Sequence, residues 1–133
     1  MYEYKVKELV KVVDGDTVDA VIDLGFSLAL KQRLRLTGID APELLSKDPA
    51  ERQLAQEAKD FLTGKLYSAK AIRIATSKDD KYGHILAEIH LDDDESSLND
   101  QMVKRGFAWS YDGGSKVKDF AKLAEARASW SNS

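Results

Sequence analysis

The stretch LALKQRLRLTGIDAPELLSKDPAERQLAQEAKDFLTGKL, residues 28–66, changes its hydrophobic period partway along, and that change sets the fold class. Up to Thr37 the pattern is that of a half-buried strand. Leu28, Leu30, Leu34 and Leu36 share one face, and Lys31, Arg33, Arg35 and Thr37 share the other. From Asp48 the spacing becomes helical. Asp48 is placed as an N-cap, Pro49 suits the first helical position, and Glu51 suits the capping-box partner. Leu54, Ala58, Phe61, Leu62 and Leu66 then fall on one helical face. Gly64 costs about 1 kcal/mol in a helix interior and marks a place for fraying or bending.

Upstream, Val18, Ala20, Ile22 and Leu24 alternate with Thr17, Asp19, Val21 and Asp23, again a strand. The opening MYEYKVKELVKVV, residues 1–13, alternates apolar with charged side chains. Downstream, AIRIAT (71–76) and HILAEIHL (84–91) read as two β runs joined by a charged turn. A short helix follows, with Ser97 and Asp100 as a capping pair, Lys104 and Arg105 in its last turn, and Gly106 as its stop. Val117, Phe120, Ala121, Ala124 and Ala128 are spaced as one face of a final helix. The order strand-strand-strand-helix-strand-strand-helix-helix predicts a single α+β domain over residues 1–133, a small barrel with helices packed on it.

With 133 residues, 43% hydrophobic and 32% charged, the chain can bury one sizeable core. Cysteine is absent, which excludes disulfides, thiolate zinc sites and a cysteine nucleophile. The formal charge of −3 gives no overall basic footprint, so phosphate binding has to come from local cations or a bound metal. No apolar run approaches the ~20 residues of a membrane span, and the first residues lack a secretory h-region. The chain as given is therefore expected to be cytoplasmic, or secreted if a leader was removed, and to be a monomer without membrane association.

Two acidic motifs carry the chemistry. VVDGDTV (12–18) sets Asp14 and Asp16 around a glycine turn. RLRLTGIDAPE (33–43) ends its strand at Gly38 and then offers Asp40 and Glu43 around Pro42. Each alone is ordinary turn chemistry. Together they place carboxylates at strand ends, as a hard cation such as Ca²⁺ requires, with Arg35 between them. A metal plus an arginine fork suits a phosphodiester, whose negative charge grows in the transition state.

DGDT, RLRLTGIDAPE, DKYGH (80–84) and LNDQMVKRGFA (98–108), in this order and spacing, resemble the staphylococcal nuclease (thermonuclease-like) family from about Tyr4 to Trp130. The resemblance implies an OB-type five-stranded barrel with three helices and a Ca²⁺-dependent nuclease acting on DNA or RNA. It implies metal ligands at Asp16, Asp40 and the carbonyl of Ala41, with Asp14 as the acid behind them. It implies Arg35 as a phosphate-binding arginine and Glu43 as general base or water-orienting group. Lys81 and Tyr82 match residues placed near a terminal phosphate. Tyr111 resembles a tyrosine against which a base packs, and Trp109 is its rival for that stacking.

His84 is the departure, since the family motif ends in a second phosphate-contacting arginine. Arginine is permanently charged and offers a five-donor fork, whereas neutral histidine offers one donor. The sequence therefore predicts an intact metal end and a weakened leaving-group end, with His84 as the catalytic group that remains there. The competing reading is a catalytically silent OB module that binds nucleic acid or protein. Arg33, on the face of Arg35, reads first as a solvated strand arginine, with partial substitution for the lost arginine as the alternative. His90 reads as an ordinary strand residue, with no spacing that would make a zinc site of the histidine pair.

Overall fold

In β1 (Tyr2–Asp14) the residues that turn inward are Tyr4, Val6, Leu9 and Val12, spaced by two and then by three. Bulges between Val6 and Glu8 and between Leu9 and Lys11 account for this, because each inserts a residue and turns the strand. The structure, a computed structural model, describes residues 2–79, 84–112, 114 and 117–131. β2 (Thr17–Gly25) and β3 (Leu28–Leu36) form a hairpin, β5 (Ile72–Asp79) and β6 (Ile85–Leu91) pair antiparallel, and β1 pairs with both β2 and β5. A parallel contact of β3 with β6 closes the barrel in the order β1-β2-β3-β6-β5. Two short strands, β4 (Ile39–Asp40) and β7 (Trp109–Ser110), pair beside it. Among the described residues three helices pack on this five-stranded barrel, and the fold is the expected OB-type α+β class.

Val18, Ala20, Ile22, Leu34, Leu36, Ile74, Ala87, Ile89 and Leu91 fill the barrel. Leu24, Leu28 and Leu30 do not join them. Expected on the buried face, they are 41%, 61% and 47% exposed. Their period is right but nothing covers them: β6 pairs with β3 only along Leu34–Leu36, so the far arm of the hairpin has one neighbour instead of two.

Helix α1 (Pro49–Ser68) closes one end of the core with Ala55, Ala58, Leu62 and Leu66, and it runs through Gly64. Leu54 and Phe61 are only half-buried. Asp48 caps it as expected, accepting the Ala50 N–H at 2.9 Å. Glu51 does not complete a capping box: the Asp48 N–H goes to Ser46 Oγ, and Glu51 turns toward the loop before the helix.

Helix α2 (Leu98–Lys104) has its expected cap, Ser97 Oγ accepting the Asp100 N–H at 3.1 Å. Gly106, at φ 78°, ends it; a Cβ there would lie 2.4 Å from the Leu123 carbonyl oxygen, so only glycine fits. Within α2, buried Asn99 accepts the Ile89 N–H at 3.0 Å and donates to the carbonyls of Thr37 at 2.8 Å and Ala87 at 3.0 Å. It takes over the ladder where β3 leaves β6.

Helix α3 (Phe120–Ser131) departs from expectation in its face. Val117 precedes it, and Ala121, Ala124 and Ala128 are exposed; Leu123 is buried, and Ala126 and Arg127 are half-buried beside it. The inward face is fixed by Arg127, which donates through Nε to the Gly106 carbonyl at 2.9 Å, pairs with Glu57 and lies over the Phe107 ring. Among the described residues no helix is long and apolar enough to cross a membrane.

Candidate active site

The hairpin register places Thr17 opposite Arg35, which brings the end of the β1–β2 turn against the end of β3. The Leu36 N–H donates to the Asp16 carbonyl at 2.8 Å and fixes that junction. Asp16 is 5% exposed; its Oδ1 accepts the Thr17 hydroxyl at 2.9 Å, and its Oδ2 accepts the Ala41 N–H at 3.0 Å. Arg35 then lies between two acids, Nη1 at 3.0 Å from Asp16 Oδ2 and Nη2 at 3.7 Å from Asp40 Oδ1. Nη2 also donates to the Ile39 carbonyl at 3.4 Å. Gly15 makes the approach possible: a Cβ there would stand 2.8 Å from the Ala58 Cβ and 2.9 Å from the Ala41 Cβ.

Asp14 stands behind this cluster, its Oδ1 accepting the Asp16 N–H at 3.1 Å. Burial first, and then the hydrogen bond and charge of Asp16, push the Asp14 carboxyl up to about 7. Burial also opposes ionisation of Asp16, but the Asp14 hydrogen bond, the Arg35 charge and the Ala41 N–H outweigh it and hold Asp16 below the ordinary range. Burial works against the charge of Arg35 too, yet Asp16 and Asp40 raise its value. Among the described residues the acids of this cluster, Asp14, Asp16 and Asp40, outnumber Arg35, and Asp14 is driven toward neutrality.

That surplus suits a hard dication. Asp16, Asp40 and the Ala41 carbonyl are oxygen donors on a stiff frame, as Ca²⁺ prefers. Among the described residues no group of three or more histidine, aspartate or glutamate side chains gathers to hold a metal. A cation here would rest on two carboxylates, a backbone oxygen and water.

Glu43 lies on the loop after β4, its side chain 56% exposed. Its N–H donates to Glu51 Oε2 at 3.0 Å, and its Oε2 is 3.5 Å from Lys118 Nζ. Lys118 sits 2.9 Å from Glu51 Oε2, and Glu51 Oε1 accepts the Ser46 hydroxyl at 2.8 Å. Sequence reasoning missed both members of this pair. Glu51 was masked by its fit to a capping position, and Lys118 lies 67 residues away with no motif around it.

Tyr111 comes to the site. It lines a cavity of about 360 Å³ with Gly38, Asp40, Trp109, Ser110, Asp112 and Val117, and its N–H donates to the Gly38 carbonyl at 2.8 Å. Trp109 forms the wall of that cavity. It is 6% exposed, its indole N–H donates to the Asp119 carbonyl at 2.8 Å, and Phe120 meets its ring edge-on at 5.5 Å. A ring so covered serves packing, and the more open aromatic is Tyr111. Arg33 is engaged elsewhere, bonded through Nε and Nη2 to Asp19 at 2.8 and 3.1 Å. His84 precedes β6 and by alternation shares the face of Leu86, the residue paired with Arg35. His90 Nε2 pairs with Glu88 at 2.9 Å, as an ordinary strand residue does. Lys81 and Tyr82 lie outside the described residues.

Residues 33–130 match the family described as staphylococcal nuclease homologue. The chain belongs to the staphylococcal nuclease family. The match begins at Arg33, so Asp16 joins the family's segment here through the Arg35 and Ala41 contacts. Among relatives, the chain is 34% identical over 95 residues to a probable staphylococcal-like nuclease of Oryza sativa subsp. japonica, covering 71% of this chain and 26% of that protein. It is 32% identical over 103 residues to an uncharacterized endonuclease of Haemophilus influenzae, covering 77% and 51%. It is 30% identical over 103 residues to the thermonuclease of Staphylococcus hyicus, covering 76% and 56%. The chain thus spans between about a quarter and little more than half of the length of these three relatives.

Proposed function

We propose that this chain is a nuclease that hydrolyses phosphodiester bonds of DNA or RNA with Ca²⁺, weakened or altered at its leaving-group end by His84. The observation that carries this reading is the convergence of Asp16, Asp40 and Arg35 at 3.0 and 3.7 Å. Asp16, Asp40 and the Ala41 carbonyl would hold the ion, which supplies Lewis-acid polarisation of a phosphoryl oxygen when bound. Arg35 binds the scissile phosphate and offsets its growing charge. Glu43, more exposed than the acids around it, orients a water or takes its proton. Tyr111 offers a surface for a base beside Asp40. Family membership and relatives named as nucleases support the reading.

A silent binding module is the second reading. Arg33 is committed to Asp19, so it does not replace the arginine missing at position 84. A digestion assay on single- and double-stranded DNA and on RNA, with Ca²⁺ and with chelator, separates the two. Ca²⁺-dependent cleavage that falls steeply in Glu43→Ala, to a low but measurable residual rate, establishes the nuclease. Binding without cleavage under all conditions, His84→Arg included, establishes the module.

A further inference from the structure

We propose that Lys118 is a positioning residue for Glu43 and that buried Glu51 is the anchor through which it acts. This rests on the reading of Glu43 as the group that orients the attacking water. A glutamate on an exposed loop samples several rotamers, and a water-orienting carboxylate needs one. Among the described residues Lys118 is the partner of the Glu43 carboxylate, at 3.5 Å. Lys118 is itself held by Glu51, at 2.9 Å to Oε2 and 3.3 Å to Oε1.

Glu51 does not move freely. It is 4% exposed, sits in the first turn of α1, and accepts the Glu43 N–H and the Ser46 hydroxyl with its two oxygens. One buried carboxylate therefore holds the Glu43 backbone directly and its side chain through Lys118. The lysine arrives from the segment leading into α3, so this contact couples the C-terminal part of the chain to the loop after β4. Burial disfavours the Glu51 charge, but the Glu43 N–H and Lys118 outweigh it, and the Glu51 hydrogen bond raises Lys118 in turn. Both partners stay ionised, as the pair requires.

The test is a kinetic cycle with Ca²⁺ and single-stranded DNA, using Lys118→Met and Lys118→Arg in the wild-type and Glu43→Ala backgrounds, alongside amide hydrogen exchange at Glu43. Lys118→Met is expected to lower kcat about 10- to 100-fold with little change in KM, and Lys118→Arg to restore most of it. In the Glu43→Ala background Lys118→Met is expected to change nothing further. A raised KM, or an equal loss in both backgrounds, overturns the proposal, since lysine would then bind phosphate or merely hold the fold. Exchange of the Glu43 amide is expected to quicken about tenfold in Lys118→Met as its Glu51 acceptor loosens; unchanged exchange overturns the anchor. If the wild type does not cleave, the nuclease reading fails by itself, and exchange at Glu43 alone decides whether Lys118 and Glu51 hold the loop.

Discussion

Arg35 Nη1 stands 3.0 Å from Asp16 Oδ2, inside the pair of carboxylates that would hold a cation. The guanidinium therefore does two opposed things. It helps to hold buried Asp16 ionised, and it competes with any metal for the same oxygens. Arg35→Gln is expected to lower cleavage by ~10²–10³, the cost of losing one preorganised donor to a developing charge. The same variant is expected to bind Ca²⁺ more tightly by titration calorimetry, because a competing cation has left. Weaker Ca²⁺ binding would show that Arg35 organises the ligands more than it competes with the ion.

Asn99 is a structural counterpart outside the site. Its amide satisfies the Ile89 N–H and the carbonyls of Thr37 and Ala87. Asn99→Ala leaves the Ile89 N–H buried without this acceptor, at about 1–3 kcal/mol. Urea unfolding is expected to show a lowered midpoint with an unchanged slope. A neutral substitution would mean that water replaces the amide.

The barrel was legible where a strand has two neighbours and one buried face, as at Val18, Ala20 and Ile22 or at Leu34 and Leu36. It was less legible where geometry departs from period two. The bulges of β1 shift its inward residues to Tyr4, Val6, Leu9 and Val12. On the far arm of β3 the period held but burial did not, since pairing with β6 stops at Leu34. The α3 face escaped notice because Arg127, a charged residue, turns inward to cap Gly106 and pair with Glu57. Within the site, motifs pointed to Asp16, Arg35 and Asp40, which the structure brings together. The Glu51–Lys118 pair had no local signal, because a contact across 67 residues leaves no periodicity in either segment.

Glu51 also makes a pH prediction. Burial would raise its carboxyl, but the Glu43 N–H, Lys118 and the Ser46 hydroxyl hold it below its ordinary value of 4.5. The native state then binds fewer protons than the unfolded state as the pH falls through that window. The stabilisation is present above 4.5 and is lost as pH falls through the depressed native value. Urea midpoints of wild type are expected to drop more steeply below 4.5 than those of Glu51→Gln. Parallel curves would remove Glu51 as a source of acid sensitivity.

Gly15 joins stability to the site. Gly15→Ala sets a methyl carbon 2.8 Å from Ala58 Cβ and 2.9 Å from Ala41 Cβ, so the turn or the Ala41 backbone has to move. Overpacking of this kind costs about 1–3 kcal/mol. Ca²⁺ affinity is expected to fall as well, because the Ala41 carbonyl shifts with its residue. Ala58→Gly opens space on the helix side and is expected to recover part of the affinity, though not the stability, since glycine costs about 1 kcal/mol in a helix. Affinity that does not recover would place the clash on the Ala41 side.

His84 is the position at which chemistry can be added. It shares the face of Leu86, whose strand partner is Arg35, so a longer side chain there starts from the strand beside Arg35, the proposed phosphate ligand. Arginine would bring permanent charge and a planar fork, suited to two phosphate oxygens at once. If the site's weakness is the missing donor, His84→Arg is expected to raise kcat by ~10²–10³ with Ca²⁺ and to leave the chelated enzyme inactive. The gain should vanish in Glu43→Ala and in Arg35→Gln, because a leaving-group donor cannot act without an oriented water and a bound phosphate. A gain that survives Glu43→Ala would assign cleavage to a different set of residues. No gain in an otherwise active enzyme would mean that His84 already serves the leaving group, and His84→Ala would then cost as much as the arginine was expected to add.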